Sequence, residues 1–396
     1  MSASPTPAPP GTAATAPAAS PAGRPTLPDL ASTDVVDLTA AVCDIASVSG
    51  EETALADAIE TALRDRPHLE VLRDGDAVVA RTRLGRDRRV VVAGHIDTVP
   101  VKENLPTGRR RGDDGEEELW GRGTTDMKGG VAVALHLAAT VTEPLWDVTW
   151  VFYDHEEVEA DLNGLGRLVR TRPDCVSGDL AVLGEPTAGG IEGGCNGTLR
   201  AEVRTHGRTA HSARAWRGVN AVHAAGEVLA RLNRYTPAEV PVDGLVYREG
   251  LSAVGIRGGI ATNMIPDECV VTVNYRFAPS RTPAEAEAHV REVFDGFDVE
   301  VTDLARGARP GLDDPLVAGF VAAVTAVTGG APGPKYGWTD VARFAELGVP
   351  AVNFGPGDPM LAHADDERCP VGQIRTCARA LGSWLAGATD GGTMGT

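Results

Sequence analysis

The sequence lacks several features that define common classes of protein. Its six cysteines are scattered and none forms a CxxC pair, which argues against zinc-finger and disulfide-rich folds and predicts reduced thiols in a cytoplasmic protein. No apolar run approaches the roughly 20 residues that a membrane-spanning helix needs. Positive charge is also scarce, since 37 Lys and Arg face 55 Asp and Glu, giving a formal net charge of −18. That balance argues against a nucleic acid or a membrane as a partner.

Residues 1–28 also lack what a secretory signal needs, because they have neither a basic start nor an apolar segment. They are rich in Pro, Ala, Ser and Thr, a composition that predicts a disordered leader. The acidity of the whole chain has a consequence for binding. An anionic substrate has to be recognised by arginines placed at the site itself, against the field of the remaining charges.

The rest of the chain is long enough for two domains. Strand and helix patterns alternate up to about residue 193 and again after residue 304. This predicts an α/β catalytic domain, a mainly parallel sheet sandwiched by helices, formed by residues 29–193 and 305–396. Residues 194–304 follow a different order, with a strand, a helix, a strand pair, a helix and a strand. That order predicts an inserted α+β domain of the ferredoxin-like kind.

Four apolar strands of the predicted parallel sheet run into histidine or carboxylate residues. The strands are VVVAG, VTWVFY, LAVL and AVNF, and the polar residues that follow them are His95 and Asp97, Glu156 and Glu157, Glu185, and His363. Because parallel strands end at one edge of a sheet, we expect these side chains to share a site. A fifth carboxylate, Asp126, lies at a helix entrance in GRGTTDMKGG. The alternatives are a purely structural His95–Asp97 pair and an Asp126 that caps the helix.

Two histidines and several carboxylates are typical ligands of Zn²⁺, Co²⁺ or Mn²⁺. The carboxylates are too many for one tetrahedral ion, so a pair of ions bridged by a carboxylate is predicted. Such a pair activates water for hydrolysis, and one carboxylate then stays off the metals as the general base. The adjacent Glu156 and Glu157 point to opposite sides of an extended chain, which indicates that their roles differ.

A set of motifs resembles a known family. The motifs are GHIDTVP, GRGTTDMKGG, YDHEEVE, GEPT, GRTAHSARAWRGVNA, TNMIPDE, NYRFAPS and a late HADDE. In this order they resemble those of the zinc-dependent aminoacylase/carboxypeptidase family, from about Asp34 to Ala386. The resemblance implies a zinc exopeptidase-like catalytic domain with two divalent ions, zinc foremost and cobalt second. It also implies a homodimer formed through the inserted domain.

The resemblance assigns roles to residues of the catalytic domain. The implied metal ligands are His95 and Glu185 for one ion, His363 and Glu157 for the other, and Asp126 as the bridge. Glu156 matches the general base, and Asp97 matches the residue that orients His95. In the family the peptide bond after the bridging aspartate is usually cis, so we expect a cis bond between Asp126 and Met127.

The inserted domain also carries residues that the resemblance assigns. His211, in TAHSARAW, matches a histidine that reaches the active site of the other subunit and stabilises the oxyanion; a core or surface position is its alternative. Arg276 in NYRF and Asn263 in TNMIP match contacts to a substrate carboxylate, which a guanidinium can bind through two parallel hydrogen bonds. Arg257 in GIRGG is a further candidate, with an ordinary ion pair as its alternative.

The implied reaction is hydrolysis of the succinyl amide of N-succinyl-L,L-2,6-diaminopimelate, a small dicarboxylate amide, to succinate and diaminopimelate. N-acetylornithine, another acyl amino acid or a dipeptide is the alternative substrate within the family. The segment GWTDVARF departs from the pattern of many relatives, so substrate roles for Thr339 and Arg343 stay open. A binding protein that kept only the fold would have lost a ligand or the base, whereas all of them are present.

Overall fold

The computed structural model describes residues 24–387, so most of the predicted leader lies outside the described residues. The helices are α1 (Val35–Asp44), α2 (Thr53–Arg64), α3 (Lys128–Thr140), α4 (Gly164–Thr171), α5 (Pro173–Val176), α6 (Ala221–Arg234), α7 (Pro283–Val293), α8 (Pro315–Thr328), α9 (Val341–Glu346) and α10 (Val371–Leu385). Two 3-10 helices span Ser212–Arg217 and Pro359–Leu361.

The strands belong to two larger sheets and three small ones. They are β1 (Glu70–Asp74), β2 (Ala77–Arg81), β3 (Arg89–His95), β4 (Gly108–Arg111), β5 (Glu117–Trp120), β6 (Asp147–Tyr153), β7 (Leu180–Leu183), β8 (Glu192–Gly193), β9 (Gly197–His206), β10 (Ala210–His211), β11 (Glu239–Val242), β12 (Leu245–Arg248), β13 (Gly250–Gly258), β14 (Met264–Ile265), β15 (Glu268–Phe277), β16 (Asp298–Ala305), β17 (Gly333–Pro334), β18 (Ala351–Asn353) and β19 (Arg368–Pro370).

The first large sheet has the strand order β1-β2-β6-β3-β7-β18-β8-β17. Its central strands β6, β3, β7 and β18 are parallel neighbours, whereas β2 joins β6 in antiparallel orientation and β1 extends that side. The register places His95, the last residue of β3, opposite Tyr153, the last residue of β6. The predicted mainly parallel sheet is therefore confirmed, and its four central strands end at one edge.

Helices pack on both faces of this sheet because its central strands are apolar on both sides. Val90 and Val92 of β3 belong to a core that α1, α2, α3, α8 and α10 complete. The alternate residues Val91 and Ala93 belong to a second core, completed by α4, α5 and α9. Alternation along a strand thus divides its side chains between two layers of helices.

Helix α3 begins beside the carboxyl edge of the sheet and is buried along nearly its whole length. Gly130, in its first turn, packs so tightly that a Cβ there would lie 2.1 Å from the carbonyl oxygen of Gly184. No residue larger than glycine fits at that distance. This contact holds the start of α3, and the Asp126 that precedes it, next to the end of β7.

The second large sheet is antiparallel, with the strand order β13-β15-β9-β16. Along the chain its elements follow as β9-α6-β13-β15-α7-β16, which is the predicted ferredoxin-like order. One face packs against α6 and α7 around Leu199, Val203, Val271 and Phe294. Its chain segment lies between β8 and β17 of the first sheet, so the sheet is an insertion into the α/β unit.

The four apolar strands that the sequence predicts correspond to β3, β6, β7 and β18. The shortest strands were not predicted. Strands β8, β10, β14 and β17 have two residues each. Two residues carry no periodic pattern, so pairing with distant segments decides whether they become strands. All six cysteines are free and buried. Within residues 24–387, none of the helices has the length and apolar character that crossing a membrane requires.

Candidate metal centre

The carboxyl ends of the central strands carry the histidines and carboxylates that the sequence pattern indicates. His95 ends β3, Glu156 and Glu157 follow β6, and Glu185 follows β7. His363 lies in the loop after β18, with a positive φ of 64°. A non-glycine residue rarely adopts this left-handed conformation unless its surroundings hold it there. All these residues therefore lie at one edge of the sheet, as predicted.

Asp126 lies between the two histidines. His95 Nε2 is 3.2 Å from Asp126 Oδ1, and His363 Nε2 is 3.3 Å from Asp126 Oδ2. His363 Nε2 also lies 2.9 Å from a carboxylate oxygen of Glu157. Asp126 does not cap α3, whose N-cap residue is Met127, and the predicted cis bond between these two residues is present. Each oxygen of Asp126 faces a different histidine, which is the geometry of a bridging carboxylate.

Asp97 lies behind His95 and is buried. Its carboxylate is 3.4 Å from His95 Nδ1 and accepts hydrogen bonds from Ser49 Oγ and from the backbone amides of Glu156 and Glu157. Burial alone would raise the pKa of Asp97, but the contact with His95 and these hydrogen bonds lower it to about 2. His95 Nδ1 is 3.1 Å from the backbone carbonyl oxygen of Asp97, so Asp97 contacts the His95 ring and also holds the loop that carries the two glutamates.

Glu185 is buried, and its Oε1 has no hydrogen-bond partner among the described residues. Burial, together with the negative charge of Asp126, raises the pKa of Glu185 to about 7. An unpaired buried carboxylate oxygen is costly, so a group bound beside it would stabilise the site. His95, Asp126 and Glu157 also bring one ligand atom each within 4.8 Å of one another. Imidazoles and carboxylates in this arrangement fit a divalent metal.

Glu156 differs from the adjacent Glu157 in its relation to the converging ligand atoms. It is not part of the group of His95, Asp126 and Glu157 whose ligand atoms converge. Burial raises the pKa of Glu156 well above its ordinary value, and neighbouring carboxylates raise it further. Its side chain lines a cleft of about 680 Å³, which strands β9 and β16 of the second sheet also line. Glu157 lines the same cleft, so the two adjacent glutamates differ in that only Glu157 belongs to the converging group of ligand atoms.

Two buried residues that the motifs did not single out hold the loop of Asp126. Glu367 Oε1 accepts hydrogen bonds from the backbone amides of Thr125 and Asp126, both at 3.0 Å. Its Oε2 lies 2.7 Å from the Arg122 guanidinium, which also donates to the carbonyl oxygen of Ala364. Glu367 ends the HADDE run and Arg122 belongs to GRGTTDMKGG, but nothing in either motif indicates that these residues pair across 245 positions.

His211 and Asn263 lie together on the inserted segment. The short strands β10 and β14 pair, and the amide of Ser212 donates to the carbonyl oxygen of Asn263. His211 is exposed, and its Nδ1 accepts a hydrogen bond from the amide of Ala213 at 3.1 Å. Within residues 24–387, neither side chain forms a hydrogen bond or ion pair with the metal-ligand cluster of its own chain.

The two candidate arginines of the inserted sheet have different surroundings. Arg276, on β15, is partly buried, and its Nε donates to Asn274 Oδ1 at 3.0 Å. Arg257, on β13, is exposed and lies 2.5 Å from Glu202. Arg257 therefore forms an ordinary ion pair, which was the alternative to a role in substrate binding. Its guanidinium is occupied by a protein carboxylate.

The segment GWTDVARF, which departs from the pattern of many relatives, makes its contacts within the protein. Thr339 is buried and its Oγ1 donates to Asn353 Oδ1 at 3.0 Å. Arg343 lies 2.5 Å from Asp340 and lines the cleft beside Glu156. Thr339 thus supports the end of β18, and the charge of Arg343 is balanced by a buried carboxylate.

Residues 91–386 match peptidase family M20/M25/M40, and the chain belongs to this family. Within it, the chain is 54% identical over 357 residues to the DapE protein of Mycobacterium tuberculosis strain H37Rv, covering 89% of this chain and 98% of that protein. It is 47% identical over 363 residues to the succinyl-diaminopimelate desuccinylase of Corynebacterium glutamicum, covering 89% and 96% of the two chains. A tripeptidase of Staphylococcus aureus has the same fold, with a TM-score of 0.72 at 19% identity over 89% of this chain and 97% of that one.

Proposed function

We propose that this protein hydrolyses the succinyl amide of N-succinyl-L,L-2,6-diaminopimelate and releases succinate and L,L-2,6-diaminopimelate. Metal-assisted amide hydrolysis is supported by one observation above all, the Asp126 carboxylate set between His95 and His363 with Glu156 beside them. The choice of substrate is supported by the 47% identity with the Corynebacterium glutamicum protein, whose name states this activity.

Two divalent ions, zinc before cobalt, are held in this proposal by ligand sets that share Asp126. His95 and Glu185 complete one set, and His363 and Glu157 complete the other. The contacts of both histidines with Asp126 and the unpaired oxygen of Glu185 support these assignments. When bound, such ions lower the pKa of a water molecule and polarise the amide carbonyl.

Glu156 acts as the general base in this proposal. It accepts a proton from the attacking water and then delivers that proton to the amine nitrogen as the carbon–nitrogen bond breaks, which leaves succinate and a free amine. Its place on the cleft wall directly beside Glu157 supports this role, because a base has to reach the water that the ligands hold. Asp97 orients His95 and, through backbone amides, the loop of Glu156.

The substrate carboxylates are bound by Arg276 and Asn263 in this proposal. The partly buried guanidinium of Arg276 has no acidic partner within residues 24–387, which supports a role in binding an anion. Arg257 is a weaker candidate, because its guanidinium would first have to leave Glu202.

The protein acts as a cytoplasmic homodimer in this proposal. Residues 194–304 form the dimerisation domain, and residues 29–193 and 305–396 form the catalytic domain. Strand β13 is an edge of the inserted sheet and exposes Val254 by 61% and Ile256 by 56%. Exposed apolar side chains on a sheet edge are typical of an interface between subunits.

A substrate panel with controlled metal content tests the proposed function. We expect a chelator to abolish hydrolysis and added Zn²⁺ or Co²⁺ to restore it, with the highest kcat/KM on N-succinyl-L,L-2,6-diaminopimelate. If kcat/KM is higher on N-acetylornithine or on a dipeptide, the proposed substrate is wrong, while the proposed metal-dependent amide hydrolysis still holds. Full activity in protein shown by elemental analysis to be free of metal would overturn the reaction class.

His211→Ala is expected to lower kcat by about 10²–10³, the effect of losing one oxyanion donor. His206→Ala, an exposed histidine at the end of β9, is the matched control and should keep wild-type kcat. If His211 acts in the partner's site, mixing His211→Ala with Glu156→Gln protein restores about a quarter of wild-type activity, since half of the dimers regain one intact site. No recovery on mixing, with subunit exchange verified, would contradict the shared site.

A further inference from the structure

The inserted sheet has one face that its own helices do not use. Side chains alternate along β9, so Leu199, Ala201 and Val203 point into the core with α6 and α7. Thr198 and Arg200 therefore point to the other face, and both line the cleft that contains Glu156. The polar face of the inserted sheet thus forms one wall of the cleft of the catalytic domain.

Arg200 and Arg276 share this face. In the register of β9 and β15, Arg200 lies opposite Asn274 and Thr198 lies opposite Arg276. Directly opposed residues point to the same side of a sheet, and so do residues two apart on one strand. The two guanidiniums are therefore diagonal neighbours. Burial and the nearby charge of Arg200 lower the pKa of Arg276.

Within residues 24–387, Arg200 forms no ion pair, whereas three other arginines around it do. Arg204 and Arg257 each form an ion pair with Glu202, and Arg343 across the cleft is paired with Asp340. The charges of these three arginines are therefore balanced within the protein by Glu202 and Asp340. Within residues 24–387 the Arg200 side chain makes no hydrogen bond or ion pair.

The acidic residues nearby do not neutralise this pair. Asp303 of β16 lies opposite Arg200 in register and lines the same cleft, but the two form no ion pair among the described contacts. Glu159 and Asp161 make the far rim of the cleft acidic. The other lining residues of this cleft are largely acidic, and the whole chain has a net charge of −18. The adjacent guanidiniums of Arg200 and Arg276, with Asp303 opposite Arg200 in register, are therefore the place on this face where a substrate carboxylate meets positive charge.

We propose that Arg200, beside Arg276, binds a substrate carboxylate remote from the scissile amide and so determines specificity for a substrate with more than one carboxylate. This inference rests on the proposed function and adds a binding residue to it. A planar guanidinium binds a carboxylate through two parallel hydrogen bonds, which a lysine ammonium cannot reproduce. The carboxylate is either the free end of the succinyl group or the distal carboxylate of diaminopimelate, and the experiment distinguishes the two.

The test compares wild-type protein with Arg200→Gln on three substrates. The first is N-succinyl-L,L-2,6-diaminopimelate, the second has the free succinyl carboxylate replaced by a carboxamide, and the third is Nα-succinyl-L-lysine, which lacks the distal carboxylate. We expect Arg200→Gln to lower kcat/KM on the first substrate by about 10- to 100-fold, the effect of losing a hydrogen bond to a charged group. On the one analogue that lacks the recognised carboxylate, wild type and variant should have equal kcat/KM.

Arg204→Gln is the matched control, because it removes a guanidinium from the same face of the same strand whose charge is already paired. It should keep the wild-type ratio among the three substrates, and Arg200→Lys should fall between wild type and Arg200→Gln. An equal loss on all three substrates, or no loss on any, would overturn the assignment of Arg200. If wild-type protein hydrolyses none of the three, it is the proposed function that fails.

Discussion

Glu156→Gln is expected to lower kcat by at least about 10²–10⁴, the range of a general acid–base contribution, while leaving the metal content at the wild-type level. Glutamine has nearly the same size and can still accept a hydrogen bond, but it cannot take a proton from water. The backbone amide of Glu156 would continue to donate to Asp97, so the loop should keep its position. Elemental analysis and steady-state kinetics on the same preparation measure both quantities.

The adjacent residue provides the decisive comparison. Glu157 lies 2.9 Å from His363 within the cluster of ligand atoms, so Glu157→Gln is expected to reduce the content of bound metal along with activity. Glu159→Gln serves as the control, because Glu159 is an exposed residue of the same cleft wall. If Glu156→Gln lost metal and Glu157→Gln kept it, the two roles would be exchanged. Retained turnover in Glu156→Gln would exclude it as the base.

Glu367→Ala is expected to lower the free energy of unfolding by about 3–5 kcal/mol, the cost of leaving a buried charge without its partner. Glu367 is wholly buried, and the Arg122 that it neutralises is only 2% exposed. The same substitution removes the acceptor for the amides of Thr125 and Asp126. We therefore also expect metal affinity to fall by about 10- to 100-fold, as for other residues that orient a ligand.

Chemical denaturation of metal-free protein and competition with a metal-binding dye measure these two effects separately. Asp366→Ala is the matched control from the same loop, because its ion pairs with Arg110 and Arg368 are exposed and contribute about 1 kcal/mol or less. Glu367→Gln can still accept from the two amides, so metal affinity should fall less than in Glu367→Ala while stability still falls. An unfolding free energy for Glu367→Ala within about 1 kcal/mol of wild type would contradict a structural role for the pair.

The site could be anticipated because its elements follow local rules. Apolar strands that end in histidine or carboxylate were recognisable one at a time, and parallel orientation brings their ends to one edge whatever the details of packing. The four central strands and both long helices of the inserted segment accordingly lie where the sequence predicts them. The role of Asp126 was open between helix capping and the site, and the contacts of His95 and His363 decide that it faces the cluster.

Other features depended on contacts between distant segments. The two-residue strands have no pattern of their own. Arg257 could be assigned to an ion pair only once the sheet brought β13 within reach of Glu202 on β9, across the intervening β15. The pairing of Glu367 with Arg122 joins residues 245 positions apart. No periodicity or motif indicates such a pair, because it exists only when two loops meet in the folded chain.

By itself, the sequence determined the α/β class with its inserted domain, the ends of the strands and the chemical type of the ligands, since these follow from side-chain periodicity and from the donor atoms present. The tertiary structure decided between helix capping and a place between the two histidines for Asp126. It also decided which buried pair holds the loop of Asp126, and which cleft arginine has no ion pair within residues 24–387. Those properties depend on distances of a few ångströms between side chains from separate elements. Such distances are set by the packing of the whole fold and not by any segment alone.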